Sequence, residues 1–232
     1  MALLEHLKNV HSNCVDLSKK IKCNNKNARE INIIGLYGSI IELIGNLIVL
    51  ADKKLWIGLP SLIKTILEAH IELKNLYLNE NYEQFMLAAH YTQNLKILKG
   101  VKEYTNPFFE DVRNPKNIDE LILQYEIWLA RLKKMGFNAL SIRERFKKAN
   151  ELDVYHLIYE RLSLDAHNYI SDQIGRHFEI VENELKIIYY KDRQENAILS
   201  YIDTIAEILL AASNYMHISL RTRQENKMCQ VR

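Results

Sequence analysis

Glycine and proline are rare in this sequence. Its 232 residues include seven glycines and three prolines. An all-β domain needs a turn about every 8 to 12 residues, and these two residue types build most turns. Their scarcity argues against an all-β fold and favours helices.

Cysteine and the common cofactor motifs are equally scarce. Cys14, Cys23 and Cys229 are scattered, with no CxxC pair and no Cys/His ligand spacing, which supports neither a disulfide framework nor a zinc site. The sequence also has no Glu-x-x-His pair of the di-iron type, no GxGxxG, no P-loop and no GxSxG. We therefore expect neither a metal nor a cofactor.

Charge of one sign is not in excess either. Thirty-one basic residues against 29 acidic ones give a formal net charge of +2. This total neither demands nor excludes a nucleic-acid partner, so local clusters are more informative. The chain does not open with a basic stretch and a small-residue cleavage site, so we expect no secretory signal and a cytoplasmic protein.

One apolar run, residues 31–50, is long enough to span a bilayer. A polar or small stripe interrupts it, because Gly35, Ser39, Glu42 and Asn46 recur at 4-3-4 spacing. A charged glutamate near the middle of a bilayer costs a few kcal/mol at least. We interpret this segment as a core helix with one special face and expect no membrane partner.

Apolar side chains repeat at helical spacing along most of the chain, while one segment alternates. The alternation over residues 176–190, around Glu182-Asn183, predicts a small β-hairpin. The pattern predicts an all-α fold, an up-and-down bundle of about seven to eight helices with one β-hairpin insertion. We expect a single domain over residues 1–232, an irregular loop at 105–117 and a flexible basic tail at 221–232.

The stretch YERLSLDAHNY, residues 159–169, combines several chemically active side chains on a predicted helix. Tyr159, Ser163 and His167 share one stripe at steps of four, and Arg161 is spaced to pair with Asp165. The simpler interpretation is a surface ion pair, a serine bonded to its own backbone and a core histidine.

The same residues suit RNA cleavage without a metal. A histidine can move a proton at the 2′-hydroxyl or the leaving oxygen, since its pKa is near neutral. An arginine can offset the charge that builds up on the phosphoryl oxygens. In this interpretation Tyr159, Ser163 or Asp165 orients the imidazole or the substrate.

Arg161 and His167, separated by LSLDA, resemble the Arg-x(4–6)-His motif of the HEPN superfamily. The resemblance implies a helical bundle, often dimeric, and a metal-independent ribonuclease of the kind found in toxin–antitoxin and phage-defence systems. It implies Arg161 and His167 as the catalytic pair, in a cleft that a second subunit completes. Leu162 stands where active members usually have a polar residue.

A second resemblance extends over roughly residues 30–220. A basic-x-x-x-Glu-Ala helix and a Tyr-x-x-x-Ser-x-x-x-His helix are similar to those of a family of uncharacterised helical bacterial proteins. The matching positions are Lys64, Glu68 and Ala69 in one helix, and Tyr159, Ser163 and His167 in the other. Lys64 stands where that family usually has arginine. This resemblance implies a fold and a site but no reaction.

Lys64, Glu68 and Glu72 form a charged row at i, i+4 and i+8. Such a row is commonly a solvated face. Turned inward, its carboxylates would hold the imidazole of His167 and raise the pKa of that group. Glu42 and Asn46 are the next candidates for the same pocket.

The densest basic run covers residues 131–148. Phosphate backbones bind to such clusters, and Trp128, Phe137 and Phe146 are candidates for stacking on unpaired bases. The alternative is an ordinary solvated helix whose aromatic side chains face the core. The candidate RNA-binding residues are Arg131, Lys133, Lys134, Arg143, Arg145, Lys147 and Lys148.

These patterns leave two functions open. The first is a HEPN-like ribonuclease or RNA-binding effector, acting as a homodimer or with a cognate partner protein. The second is a non-catalytic helical module that binds a partner protein or a small ligand. An inactive nuclease relative that acts as an antitoxin is one form of the second, and Leu162 fits it.

Overall fold

The computed structural model describes residues 2–21, 27–103, 118–166, 169–189 and 195–229. It describes only the backbone at 165, 171, 172, 195–200 and 221–229. Within these ranges the chain is mostly helical and carries one two-stranded antiparallel hairpin. The predicted all-α fold with a small β-hairpin is confirmed.

The helices lie close to the segments with helical spacing. In chain order they are α1 (Ala2–Ser18), α2 (Ala28–Asp52), α3 (Leu59–Leu78), α4 (Tyr82–Glu103), α5 (Ile118–Lys134), α6 (Ile142–Lys148), α7 (Leu152–Val154), α8 (Glu160–Ala166), α9 (Ile170–His177) and α10 (Glu195–Cys229). A 3₁₀ turn, Trp56–Gly58, precedes α3, and a π-helical segment, Tyr155–Tyr159, joins α7 to α8. The hairpin strands are β1 (Phe178–Val181) and β2 (Glu184–Ile187).

The chain divides into two compact units. Unit 1 contains residues 1–78 and 145–232, and unit 2 contains residues 79–144. The prediction of one domain over the whole chain stays a prediction beside this division.

The core of unit 1 forms where α2, α3 and α10 pack against one another, with α1 against α2 and α10. Each helix contributes the apolar stripe that its spacing predicts, and burial of such side chains is the main force holding helices together. The fully or almost fully buried members include Ile33, Ile40 and Ile44 of α2, Ile66, Leu67 and Ile71 of α3, and Ile205, Leu209 and Ala212 of α10.

Local signals fix where several helices begin and end. The side chain of Asn27 accepts a hydrogen bond from the amide of Glu30, which starts α2 at Ala28. Pro60 stands in the first turn of α3, where no amide donor is needed. At the other end of α3, the guanidinium of Arg29 donates to the carbonyls of Leu76 and Tyr77.

Helix α2 is long and apolar enough to cross a membrane by length and composition alone. One of its faces is buried in the core of unit 1. The predicted polar stripe, Gly35, Ser39, Glu42 and Asn46, lies on the opposite, exposed face. This arrangement is that of an amphipathic helix packed on a protein core.

The hairpin follows the predicted turn. Glu182 and Asn183 both have positive φ, 55° and 64°, as a type I′ turn requires. Phe178 pairs with Ile187 and Ile180 with Leu185, so these apolar residues share one face of the hairpin.

Unit 2 is built on the pairing of α4 with α5. Four of its buried residues, Ala88, Leu95, Leu129 and Leu132, form a small cluster. Helix α5 ends at Lys134, and Gly136, two residues later, has a φ of +87° that is accessible to glycine at little cost.

Two predicted boundaries remain. The predicted loop at 105–117 lies outside the described residues. Helix α10 continues to Cys229, nine residues into the predicted tail, and residues 221–229 include no glycine or proline to end it.

Candidate functional site

Helix α3 carries the charged row on the face that meets α8 and the π-helical segment. Lys64, Glu68 and Glu72 are all half-buried, while Thr65 on the neighbouring face is exposed. Helix α3 packs against α8. The row is therefore partly covered by this packing rather than fully solvated, while the predicted contact of its carboxylates with His167 stays a prediction.

Glu68 is bound to the helix that carries the arginine–histidine motif. The Tyr159 hydroxyl donates a hydrogen bond of 2.6 Å to Glu68 Oε1. Burial, and then the bond to Glu68, raise the pKa of Tyr159 above its ordinary value. Tyr159 is thus a protonated donor near neutral pH, and it cannot serve as a general base there.

Lys64 contacts the face of the same ring. Its Nζ lies 5.5 Å from the centroid of the Tyr159 ring, within the range of a cation–π interaction. Tyr159 therefore contacts two charges of α3, one through its hydroxyl and one through its ring. These contacts hold Tyr159, the last residue of the π-helical segment, against α3.

Glu72 binds a second segment of the chain. Its Oε1 accepts a hydrogen bond of 2.7 Å from Arg145 Nη1, and both side chains are less than a third exposed. The Asn75 side-chain amide donates to the carbonyl of Arg145 at 2.9 Å. Lys74 forms a further ion pair with Glu151. We call Lys64, Glu68, Glu72, Arg145 and Tyr159 the α3 polar cluster.

The π-helical segment lies beside the α3 polar cluster and contributes Tyr159 to it. The amide of Glu160 donates to the carbonyl of Tyr155, the i+5 to i bond of a π-helix. The rings of Tyr155 and Tyr159 are stacked with centroids 5.5 Å apart, and both contact Phe146. Such insertions are frequent at functional sites, although they also occur for packing alone.

The described part of the motif helix has one buried and one exposed face. Leu162 is 2% exposed and belongs to the core. Ser163 is half-buried, on the same side as Tyr159, whereas Arg161 is exposed. Among the described side chains Arg161 forms no salt bridge; the side chain of Asp165, its predicted partner, is not among them.

His167 lies outside the described residues. The predicted contacts of its imidazole with Arg161 and Glu68 are therefore predictions still. The structure brings Tyr159, Glu68 and Lys64 together and leaves Arg161 on the surface of the same helix.

Two predicted contributions differ from the structure. Glu42 and Asn46 are exposed on α2, so we do not place them in a pocket with Glu68. A stripe of small and polar residues has the same sequence pattern whether it faces a pocket or water, and here it faces water. Phe146 is completely buried, which removes it as a stacking surface for bases.

One basic residue of the run is half-buried in an ion pair, and the other six are exposed. Arg145 is held by Glu72, so it does not have the exposed position expected of an RNA contact. The other members are exposed: Arg131, Lys133, Lys134, Arg143, Lys147 and Lys148. Trp128 is also exposed, and Phe137 is half-buried.

The sequence pattern missed the partners of the charged row. Arg145 is 73 residues from Glu72, and Glu151 is 77 residues from Lys74. Helical spacing identifies which side chains share a face but not which helix packs on it. Among the described residues no group of three or more His, Cys, Asp or Glu is placed to hold a metal ion.

The comparisons with known proteins give a family and no activity. No curated protein and no solved structure matches the chain. Residues 30–185 match DUF5677, a family of unknown function. The match includes every residue of the α3 polar cluster and the whole basic run, and it confirms the expectation of an uncharacterised family. The chain belongs to the DUF5677 family.

Proposed function

We propose that this protein is a HEPN-like, metal-independent ribonuclease or RNA-binding effector of a toxin–antitoxin or phage-defence type system. It would act in the cytoplasm, as a homodimer or with a cognate partner protein. The proposal rests on the Arg161–His167 motif and on the way its helix is held.

The observation that carries the proposal is the Tyr159–Glu68 hydrogen bond of 2.6 Å. It anchors the buried side of the motif helix to α3, while Arg161 remains exposed on another side. An exposed guanidinium on an anchored helix is accessible to a phosphate and has a defined direction. This arrangement supports a phosphate-binding role for Arg161.

The reaction needs two groups. The 2′-oxygen attacks phosphorus and loses its proton, and the 5′-oxygen leaves and gains one, so that a 2′,3′-cyclic phosphate forms. His167 would transfer a proton at one of these oxygens, and Arg161 would stabilise the charge on the phosphoryl group. Tyr159 and Glu68 would hold the helix rather than touch substrate.

The test is cleavage of a labelled RNA in the presence of a chelator. We expect cleavage by the wild type, with loss of about 100-fold or more in His167→Ala and Arg161→Ala. Arg161→Lys keeps the charge but not the planar fork, so it should recover only part of the activity. Circular dichroism and melting temperature establish that each variant is folded.

His156→Ala is the matched control. His156 is an exposed histidine on the preceding turns, hydrogen-bonded to Glu160 at 3.1 Å, and its loss should leave cleavage unchanged. Absence of cleavage in the wild type, or equal cleavage by His167→Ala, would remove the catalytic claim.

Buried Leu162 favours a second candidate, an inactive relative that binds without cleaving. Its side chain is used for packing in place of a polar group beside Arg161. This candidate predicts no cleavage, together with RNA or partner binding that His167→Ala leaves intact.

Salt dependence separates RNA binding from binding of other partners. Reversing three exposed cations, Arg143, Lys147 and Lys148, should weaken RNA binding and flatten its salt dependence. The control reverses three exposed lysines elsewhere, Lys20, Lys53 and Lys54. Equal effects of the two sets would indicate only a general charge effect.

A further inference from the structure

Four aromatic rings lie together on the α4–α5 hairpin of unit 2. His90 and Tyr91 belong to α4, and Tyr125 and Trp128 belong to α5. The centroid of Tyr91 is 5.5 Å from that of Tyr125 and 5.2 Å from that of Trp128, and Tyr125 and Trp128 are 5.7 Å apart. His90 contacts both tyrosines. We call these four residues the ring cluster.

One side of the ring cluster packs against the core of unit 2, and the other side is exposed. Tyr91 and Tyr125 are half-buried and pack against the small core of unit 2. His90 is exposed, and Trp128 is 38% exposed. Aromatic side chains of this size are usually covered in a folded protein, so a group of them at the surface marks an interaction site.

The groups beside the rings suit a nucleotide. Arg131 is one helical turn after Trp128, and Gln124 is one turn before it, and both are exposed. Among the described side chains Arg131 forms no salt bridge. Glu126 is two residues from Trp128, on another face of α5, and it is paired with Lys99 at 2.6 Å. A cation and an amide therefore border the rings.

We propose that the ring cluster is a stacking platform for unpaired RNA bases, with Arg131 binding the phosphate next to the stacked nucleotide. The inference deepens the proposed function and rests on it, since it names single-stranded RNA as the bound form. Aromatic faces stack on every base, whereas cations bind the backbone, and single-strand sites combine these two contacts.

The neighbouring apolar side chains define the competing occupant. Leu123 and Ile127 are exposed on α5, on a face adjoining that of Trp128. A protein partner, including a second copy of this chain, would cover those residues together with the rings. RNA would use the rings and Arg131 and would not need Leu123 or Ile127.

Tryptophan fluorescence gives a direct test, because the chain has two tryptophans and only one is exposed. Trp56 is 9% exposed and belongs to the core of unit 1. We expect a 12-nucleotide oligouridine to quench the emission of the wild type in a saturable way. Trp128→Phe should remove most of that quenching while RNA binding, followed by fluorescence anisotropy of a labelled RNA, stays within about threefold.

Binding strength separates stacking from simple packing. Trp128→Ala should weaken the anisotropy-detected binding about tenfold or more, since the ring is lost. Arg131→Ala should lower the salt slope by about 0.7, and Arg131→Lys should preserve it. Tyr189→Ala is the matched control, since this ring is exposed but lies outside the ring cluster.

Three results would overturn the inference. The first is the absence of quenching, and the second is equal RNA binding by Trp128→Ala and the wild type. The third is concentration-dependent self-association that is lost in Trp128→Ala and in a Leu123→Ser/Ile127→Ser variant, without an effect on RNA; that result would assign the surface to a protein.

Failure of this inference is distinguishable from failure of the proposed function. His167-dependent cleavage with unchanged RNA binding by Trp128→Ala would remove the platform and keep the nuclease. Quenching by RNA without any His167-dependent cleavage would keep the platform and remove the nuclease.

Discussion

The α3 polar cluster of unit 1 and the ring cluster of unit 2 differ in how their side chains are satisfied. In the first, half-buried charges and a hydroxyl bind one another, as Tyr159 binds Glu68 and Arg145 binds Glu72. In the second, four aromatic rings contact one another, and two of them, His90 and Trp128, are exposed. Polar groups under cover must be satisfied internally, whereas exposed rings gain from an external partner. We infer that the first cluster stabilises the packing of helices within unit 1, and that the second recognises a ligand.

The largest expected effect comes from removing one aromatic ring from each region. Phe146 is completely buried against Tyr155 and Tyr159, so Phe146→Ala should lower the free energy of unfolding by about 3 to 5 kcal/mol. Trp128 is 38% exposed and loses mainly its ring contacts, so Trp128→Ala should cost about 1 to 2 kcal/mol. Urea denaturation measures both.

Equal losses in the two variants would contradict the distinction between the regions. Phe146→Leu serves as the control for unit 1, because it keeps an apolar side chain and should recover a large part of the stability. RNA binding supplies the opposite ranking: Trp128→Ala should weaken it and Phe146→Leu should not.

The second effect is the pH dependence of unit 1 through His70. Burial first, and then Lys74, lower the pKa of His70 from 6.5 to about 4. The unfolded chain therefore takes up a proton that the folded chain refuses. Protonation of His70 therefore favours the unfolded state. The free energy of unfolding has its full value above pH 6.5, falls as the pH drops toward 4, and loses about 3 kcal/mol in all.

His70→Phe should remove this dependence. The replacement keeps a ring beside Tyr215, which His70 contacts at 5.9 Å, and it cannot be protonated. The stability of the variant relative to the wild type should therefore rise as the pH is lowered from 7.5 to 4.5. A constant difference between the two proteins over that range would show that His70 is not buried in its neutral form.

The sequence predicted the faces of the helices better than their partners. Lys64, Glu68 and Tyr159 were identified because steps of four residues place side chains on one stripe. Arg145 was expected at the surface, because nothing local indicates that a residue 73 positions away supplies a carboxylate. Glu42 was expected to face a pocket, because the stripe on α2 carries no information about direction. The π-helical segment, whose rings contact Phe146, has no distinct sequence signal either.

The third effect concerns the Tyr159 hydroxyl, which bonds the π-helical segment to α3. Tyr159→Phe keeps the ring but leaves Glu68 without its donor, so it should cost about 1.5 to 2 kcal/mol. Tyr155→Phe is the matched control, because Tyr155 belongs to the same stack and no hydrogen bond of its hydroxyl occurs within the described part of the chain. If the two substitutions had the same effect, the bond to Glu68 would not be what anchors the motif helix.

The smallest effect compares two ion pairs of identical chemistry, one from each region. The Lys74–Glu151 pair of unit 1 has side chains 16% and 25% exposed, whereas the Lys99–Glu126 pair of unit 2 has side chains 51% and 45% exposed. Double-mutant cycles to alanine should give a coupling of about 1 kcal/mol or more for the first pair and below about 0.5 kcal/mol for the second. Raising the salt concentration to 1 M should abolish the second coupling and reduce the first only in part, because water and ions screen exposed charges most. Couplings of equal size and equal salt sensitivity would mean that burial by neighbouring helices does not strengthen the polar contacts of unit 1. The difference between the two regions would then depend on their aromatic side chains alone.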